Sequence, residues 1–122
     1  MSLRSAVRRV LASADQVAAD EERVEAAKSP GCTAVSSLTP REKGTAAGVL
    51  RSVVLRPREG VPAVEAELYD GSGALHLVWL GRRTIAGIEP GRRVKVVGMV
   101  CEAEGRRTMF NPAYELRPKA GE

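Results

Sequence analysis

Residues 70–80 read DGSGALHLVWL, and this stretch decides the fold. Its first half predicts a tight hairpin, because Asp-Gly is a strong turn signal and glycine adopts positive φ at little steric cost. Its second half predicts a strand whose alternate residues are apolar and share one face, namely Leu75, Leu77 and Trp79. This parity favours burial of Trp79 in the core and leaves His76 on the outer face.

Further strands are predicted on both sides of this hairpin, at residues 45–55, 61–69 and 92–104. A short fifth strand starts at Thr108 and is followed by a turn at residues 111–114. Gly48, inside the long first strand, predicts a bulge or a sharp bend. Residues 82–88 are predicted to form a short helical or irregular connector. The resulting order is three strands, a connector and two strands.

The second predicted strand alternates between an inner and an outer face. Val64, Ala66 and Leu68 form the inner face, and Glu65, Glu67 and Tyr69 form the outer one. Two carboxylates on one outer face predict a solvated surface that repels phosphate, which argues against tight, general binding of single-stranded nucleic acid.

The strands are preceded by a helix and a linker. Residues 1–27 predict one amphipathic helix, because apolar residues recur at spacings of three, four and seven: Leu3, Val7, Val10, Leu11, Val17 and Val24. Its few large apolar side chains leave two roles open: packing or fraying beside its own domain, and forming a dimer or docking on a partner. Residues 28–43 contain Ser, Pro and Gly breakers and predict a linker. Residues 117–122 predict a frayed tail.

Composition limits the class of protein. The 122 residues suffice for one domain, and 43% hydrophobic residues suffice for one core. The formal net charge is +4, with a sequence pI near 9.5. This basic excess is compatible with a polyanionic partner. No apolar run approaches the ~20 residues that a membrane span needs, so we expect a soluble cytoplasmic protein.

Few residues are suited to metal binding or catalysis. Cys32 and Cys101 are far apart in the sequence, and His76 is the only histidine. Structural zinc sites need four N or S ligands, and these residues supply three at most, so we expect no metal and no cofactor. We expect both thiols to be reduced. With one histidine in the chain, no Ser-His-Asp triad can be argued, and no paired carboxylates lie in an obvious pocket. We therefore expect no enzyme.

Four short motifs in this order resemble those of an OB-fold, a Greek-key barrel of five strands. They lie at residues 48–50, 70–73, 90–94 and 109–114. Over residues 44–116 the chain is most similar to the wedge domain of RecG-type branch-migration helicases, and it also resembles stand-alone bacterial OB-fold proteins. No Walker-type phosphate-binding sequence is present. The resemblance implies a mainly β barrel with an N-terminal α-helix, without a motor.

The resemblance also implies a binding face on strands two and three, flanked by the loop between strands one and two and the loop between strands four and five. On it we predict binding of single-stranded or junction DNA, or RNA. The predicted contact residues are Arg51, Arg56, Arg58, Tyr69, His76, Arg82, Arg83, Arg106 and Arg107. Phe110 and Tyr114 are further stacking candidates. Alternatively, surface arginines keep a small protein soluble, and the barrel and helix serve as a protein-interaction module.

Overall fold

The computed structural model describes residues 3–27 and 29–118, with backbone only for residues 3–12. One helix, α1, spans Leu3–Ala27, and a 3₁₀ turn spans Val35–Ser37. Seven strands follow: β1 Lys43–Leu55, β2 Ala63–Tyr69, β3 Ala74–Leu80, β4 Arg93–Met99, β5 Cys101–Ala103, β6 Arg106–Phe110 and β7 Ala113–Leu116. This mainly β architecture with one N-terminal helix fits the predicted OB-fold class.

The strands form one mixed sheet in the order β5-β6-β3-β2-β1-β4-β7. All pairs are antiparallel except β3 with β6, which is parallel. Seven strands stand where five were predicted, because the fourth divides into β4 and β5 and the fifth into β6 and β7. The connector at residues 82–88 contains bends and turns and no helix.

Both divisions have a local cause. Between β4 and β5, Val100 leaves the β1–β4 pairing, and its backbone bonds Glu42 O (2.9 Å) and the amide of Arg41 (2.7 Å). Between β6 and β7, Asn111 has a φ of 51°. Pro112, which follows it, has no amide to donate to a ladder. The predicted turn at residues 111–114 is therefore shorter than expected, and β7 begins inside it.

The bulge in β1 lies at Arg51 and not at Gly48. Leu50 pairs with Leu68 and Ser52 pairs with Glu67, so Arg51 is the extra residue. Gly48 has a different role, because a Cβ there would collide with the carbonyl oxygen of Tyr69. Glycine at this position allows β1 to approach the end of β2.

The predicted hairpin is confirmed, and Asp70 stabilises it. Its carboxylate is 3% exposed. Oδ1 accepts hydrogen bonds from the Ser72 amide (2.9 Å), the Ser72 hydroxyl (2.6 Å) and the Gly73 amide (3.2 Å). Oδ2 accepts a bond from the Val35 amide (2.9 Å). One side chain thus fixes the turn and attaches the 3₁₀ turn to it.

The core is aliphatic and lies inside the curved sheet. Its fully buried large side chains include Leu50, Leu68, Leu75, Leu77, Val96 and Met109. Val35 and Leu38, in the predicted linker, are 0% and 5% exposed and belong to this core. The predicted burial of Trp79 is confirmed: it is 5% exposed, and its Nε1 donates to Pro112 O at 3.0 Å.

The C-terminal half of α1 packs on the sheet. Both guanidinium Nη atoms of Arg93 bond the Glu22 carboxylate, at 2.6 and 3.0 Å, and this hydrogen bonding raises the pKa of Arg93. Arg117, in the predicted tail, donates to Glu25 O at 3.4 Å. Residues 119–122 lie outside the described part. Within residues 3–27 and 29–118, no helix is long and apolar enough to cross a membrane.

Candidate functional site

Two loops meet over the outer face of β2, β3 and β6. The β1–β2 loop comprises residues 56–62, and the β5–β6 loop comprises Glu104 and Gly105. Arg58 Nη1 lies 3.9 Å from Glu104 Oε1. The two loops therefore touch directly over this face, and Arg106 and Arg107 lie next to the second loop, at the start of β6.

Both loops turn at a Glu-Gly pair with positive φ. Glu59 and Gly60 have φ values of 49° and 79°, and Glu104 and Gly105 have values of 54° and 74°. Two successive residues with positive φ make the type I′ turn that matches the twist of a hairpin. Tight turns of this kind fix the arginines beside them with respect to the strands.

The first depression on this face, here the loop groove, lies between the two loops and has a volume of about 610 Å³. It is lined by Arg56, Pro57, Arg58, Glu59, Val61, Glu65, Leu80, Glu104 and Phe110. Phe110 is 38% exposed, and the Arg58 guanidinium carbon lies 5.7 Å from its ring centroid. The groove thus combines cations with an exposed aromatic ring.

At the base of the loop groove, Glu65 is enclosed, whereas a solvated side chain was predicted. It is 1% exposed. Arg58 Nη2 lies 3.2 Å from its Oε1, and His76 Nε2 donates to the same oxygen at 2.6 Å. Burial acts to raise the pKa of Glu65, but the hydrogen bonds from Arg58 and His76 outweigh it, and the pKa is lowered. The hydrogen bond to Glu65 also raises the pKa of Arg58.

The contact with Glu65 limits the access of a ligand to His76. The residue is on the outer face, as predicted, but its side chain is only 11% exposed. Its ring orients a buried carboxylate, which leaves little of it to meet a ligand.

A second depression, here the Arg106 pocket, adjoins His76 and has a volume of about 220 Å³. It is lined by Glu67, Ala74, His76, Gly105, Arg106 and Arg107. Arg106 Nη2 lies 3.2 Å from Glu104 Oε2. Arg107 Nη2 donates to the carbonyl of Ser36 at 3.1 Å. Arg56 and Arg58 thus lie in one depression, and Arg106 and Arg107 lie in its neighbour.

Arg51 and Tyr69 form a separate pair. The Arg51 guanidinium carbon lies 3.9 Å from the Tyr69 ring centroid, and the same group bonds the Glu67 carboxylate. One face of the tyrosine ring is therefore already covered by a cation. The bulge at Arg51 produces this contact, because the extra residue redirects the side chain across the end of β2.

Arg82 and Arg83 lie in the exposed turn after β3. The Gly81 amide donates to Pro62 O at 2.7 Å, so this turn is at the same end of the sheet as the β1–β2 loop. Among residues 3–27 and 29–118, no ion pair involves Arg56, Arg82 or Arg83. Arg107 forms no ion pair with a described residue either, so these four are the predicted cations whose charges no described carboxylate pairs.

Sequence reasoning did not assign several residues that line the loop groove: Glu59, Val61, Leu80 and Glu104. Leu80 and Val61 are exposed apolar side chains, 40% and 44% accessible. The sequence signal for Val61 and Leu80 is that each lies at an end of a predicted strand. That signal points to the groove only once it is known which two loops meet.

The described residues show no constellation for metal binding. Across residues 3–27 and 29–118, no three His, Cys, Asp or Glu side chains are grouped to hold an ion. Cys32 and Cys101 are free thiols. Burial raises the pKa of Cys32, opposed by the positive charges of Lys95 and Arg117.

Comparison with solved structures finds the fold in nucleic-acid-binding proteins. The chain superposes on RecG bound to a three-way DNA junction with a TM-score of 0.59 and 27% identity, over 74% of this chain. The match covers only 13% of that RecG chain. The resemblance predicted from the sequence is confirmed.

A second structural neighbour is matched over nearly its whole length. The replication factor A related protein from Methanobacterium thermoautotrophicum has a TM-score of 0.53 and 12% identity, over 70% of this chain and 90% of that one. At this identity it shows a common fold. No family model and no curated protein sequence matches this chain.

Proposed function

We propose that the chain binds single-stranded or junction DNA, or RNA, in the loop groove and the adjoining Arg106 pocket. The observation that carries this proposal is the meeting of the β1–β2 and β5–β6 loops over one face, through Arg58 and Glu104 (3.9 Å). The result is a path on which arginines lie beside an exposed aromatic ring, with Glu104 between Arg58 and Arg106. Such a combination suits a polyanion whose bases are unpaired.

Each end of this path has a distinct role. Arg56, at the loop groove, is exposed and unpaired among the described residues, so it contacts phosphate at low desolvation cost. Phe110 supplies the stacking surface, worth about 1–3 kcal/mol per base. Arg106 and Arg107 extend the positive potential past His76.

The acidic residues of the face do not oppose this binding as strongly as the sequence suggested. Glu65 is enclosed by Arg58 and His76, so its negative charge is neutralised within the protein. Glu67 is paired with Arg51. The charge presented to a ligand comes mainly from the arginines that remain unpaired.

Likeness to the RecG structure supports a DNA ligand, because that protein was solved on a three-way junction. The shared part lacks a motor, so we propose ligand binding and no strand-separating activity. We also propose that the chain is a binding module and not an enzyme, and that it works in the cytoplasm where such ligands occur.

We infer further that residues 44–116 form a closed five-stranded barrel. Only Val100 separates β4, which pairs with β1, from β5, which pairs with β6. If β4 and β5 are two parts of one bent strand, the ends of the sheet join through the chain. The fully buried side chain of Val100 supports this geometry.

Fluorescence anisotropy tests the ligand proposal. Labelled single-stranded DNA, a three-way DNA junction and single-stranded RNA are titrated at low and moderate salt. The variants are Arg56→Ala with Arg106→Ala, and Phe110→Ala. Lys95→Ala is the matched control, because Lys95 lies on β4, which pairs with β1 and β7 and not with β2 or β3.

The double arginine variant should weaken binding and reduce the salt slope by about 1 for each phosphate that is no longer neutralised. Phe110→Ala should weaken binding about 5- to 100-fold with little change in slope, which corresponds to the loss of one stacked base. Lys95→Ala should bind as the wild type does. Absence of binding to all three ligands at low salt, or equal weakening in Lys95→Ala, would overturn the proposal.

A further inference from the structure

The helix α1 carries apolar residues on the side that faces away from its own sheet. Ala19 and Ala26 contact the sheet side: the Ala19 carbonyl lies against Gly71, and Ala26 lines a cavity with Ala47. Val17 and Val24 precede them by two residues each, which is about 200° around a helix. They are 55% and 61% exposed.

These valines continue a heptad pattern along the whole helix. Leu3, Val10, Val17 and Val24 are each seven residues apart. Seven residues make about two turns, so these positions share one helix face. The helix has 25 residues, about 37 Å in length at ~1.5 Å per residue. The exposed part of this pattern, at Val17 and Val24, is a surface for another helix.

The charges of α1 are divided between its halves. Residues 3–14 contain three arginines, Arg4, Arg8 and Arg9, and no acidic residue. Residues 15–27 contain one arginine and five acidic residues: Asp15, Asp20, Glu21, Glu22 and Glu25. A helix that is basic at one end and acidic at the other is complementary to itself only when two copies run antiparallel.

The acidic half also forms a groove suited to the basic half. This helix groove, about 450 Å³, is lined by Val17 and Val24 together with Asp20, Glu21, Glu22 and Glu25, and by Arg93. Glu22 bonds Arg93 and Asp20 bonds Arg23, but the lining as a whole stays acidic, with four carboxylates and one arginine. Exposed valines within it match a segment that carries Leu3, Val7 and Val10 among arginines.

We propose that the chain forms a homodimer in which two copies of α1 pair antiparallel, with residues 3–11 of each copy in the helix groove of the other. The contact is two-fold symmetric, so each copy gives and receives the same surface. The opposite side of the helix stays on its own sheet, and both loop grooves remain accessible. This dimer is independent of the proposed nucleic-acid binding.

Sedimentation velocity over a concentration series tests the dimer. The wild type should approach twice the 13.0 kDa chain mass as concentration rises. Val17→Asn with Val24→Asn should raise the dimer dissociation constant at least about tenfold. Val54→Asn, at a valine 43% exposed on β1, is the matched control and should leave it unchanged. Circular dichroism confirms that each variant is folded.

Disulfide trapping tests the orientation, in a background with Cys32→Ser and Cys101→Ser. Antiparallel pairing places position 10 of one copy beside position 17 of the other. A mixture of Val10→Cys and Val17→Cys chains should therefore cross-link, and Val10→Cys alone should not. A monomer at every concentration, an unaffected double asparagine variant, or trapping of Val10→Cys with itself would overturn the proposal.

Discussion

Arg58 and Glu65 join the loop after β1 to the middle of β2, with Arg58 Nη2 3.2 Å from Glu65 Oε1. The carboxylate is 1% exposed, and the guanidinium is 27% exposed. The pair therefore has a buried and a partly solvated end. It holds the β1–β2 loop against the face on which the loop groove forms, so the stability of this contact and the shape of the groove are connected.

Acid should destabilise the fold through Glu65. Because the pKa of Glu65 is lowered in the folded state, the unfolded chain binds the proton more readily, and stability falls as pH decreases below the ordinary glutamate pKa of about 4.3. The stabilisation is fully present above that value and is lost as pH passes through the lowered pKa. Urea unfolding, followed by Trp79 fluorescence, measures the free energy of unfolding from about pH 3 to about pH 7, a range that includes the ordinary glutamate pKa.

Glu65→Gln should be less stable at neutral pH and should show a shallower decrease toward acid. Glu102→Gln is the control, because Glu102 is an exposed carboxylate on β5. Equal pH dependence of the wild type and Glu65→Gln would contradict the assignment of this effect to Glu65.

Gly71→Ala should release α1 from the sheet. Gly71 and Gly91 both have φ of 87°, so alanine costs about 1–2 kcal/mol of backbone strain at each. Only at Gly71 would the new Cβ collide with the Ala19 carbonyl and lie 2.7 Å from Arg23 Cγ; at Gly91 it meets open space. Hydrogen exchange in residues 13–27 should increase in Gly71→Ala alone. Similar exchange in Gly91→Ala would show that strain, and not the collision, is responsible.

Gly48→Ala should destabilise the sheet by about 1–3 kcal/mol, the usual cost of overpacking. Its Cβ would collide with the backbone carbonyl of Tyr69, which cannot rotate away. Gly73→Ala is the comparison, since its Cβ would be 3.4 Å from Val35 Cγ1, an ordinary contact. Chemical denaturation of both variants checks the difference, and equal stabilities would refute the close approach of β1 and β2.

Asp70→Ala should reduce stability by about 3 kcal/mol, because it leaves one buried and two partly buried amides without an acceptor, and a buried amide without a partner costs about 1–3 kcal/mol. The amides of Val35, Ser72 and Gly73 lose their partner. Ser72→Ala removes only hydroxyl interactions from the same turn and should cost much less. Thermal unfolding measures both, and similar losses of stability would mean that the Asp70 carboxylate is not the anchor.

Local chemistry made the strands and the hairpin predictable. Asp70-Gly71 specifies a turn wherever it occurs, and the alternation of Leu75, Leu77 and Trp79 specifies which side of β3 is buried. The location of the bulge was not predictable in this way. Gly48 carries the usual signal for a bulge, yet Arg51 is the extra residue, because register depends on how β1 meets β2 and β4 together.

The face on which we propose binding was predicted in outline, but the pairing of its charges was not. Strand parity placed Glu65 on the outer face, and there sequence reasoning expected solvent. Enclosure of Glu65 requires Arg58 from one loop and His76 from the next strand. Neither contact has a sequence signature, because side-chain pairing across a sheet depends on register and loop conformation.

The sequence by itself determined the order of strands, the hairpin at residues 70–73 and the apolar core, since turn chemistry and alternation are local properties of the chain. Only the tertiary structure decided which charges are neutralised and which remain for a ligand. It also decided that Glu22 of α1 meets Arg93 of β4, 71 residues later. Contacts at such separations depend on the packing of the whole chain, and no short segment encodes them.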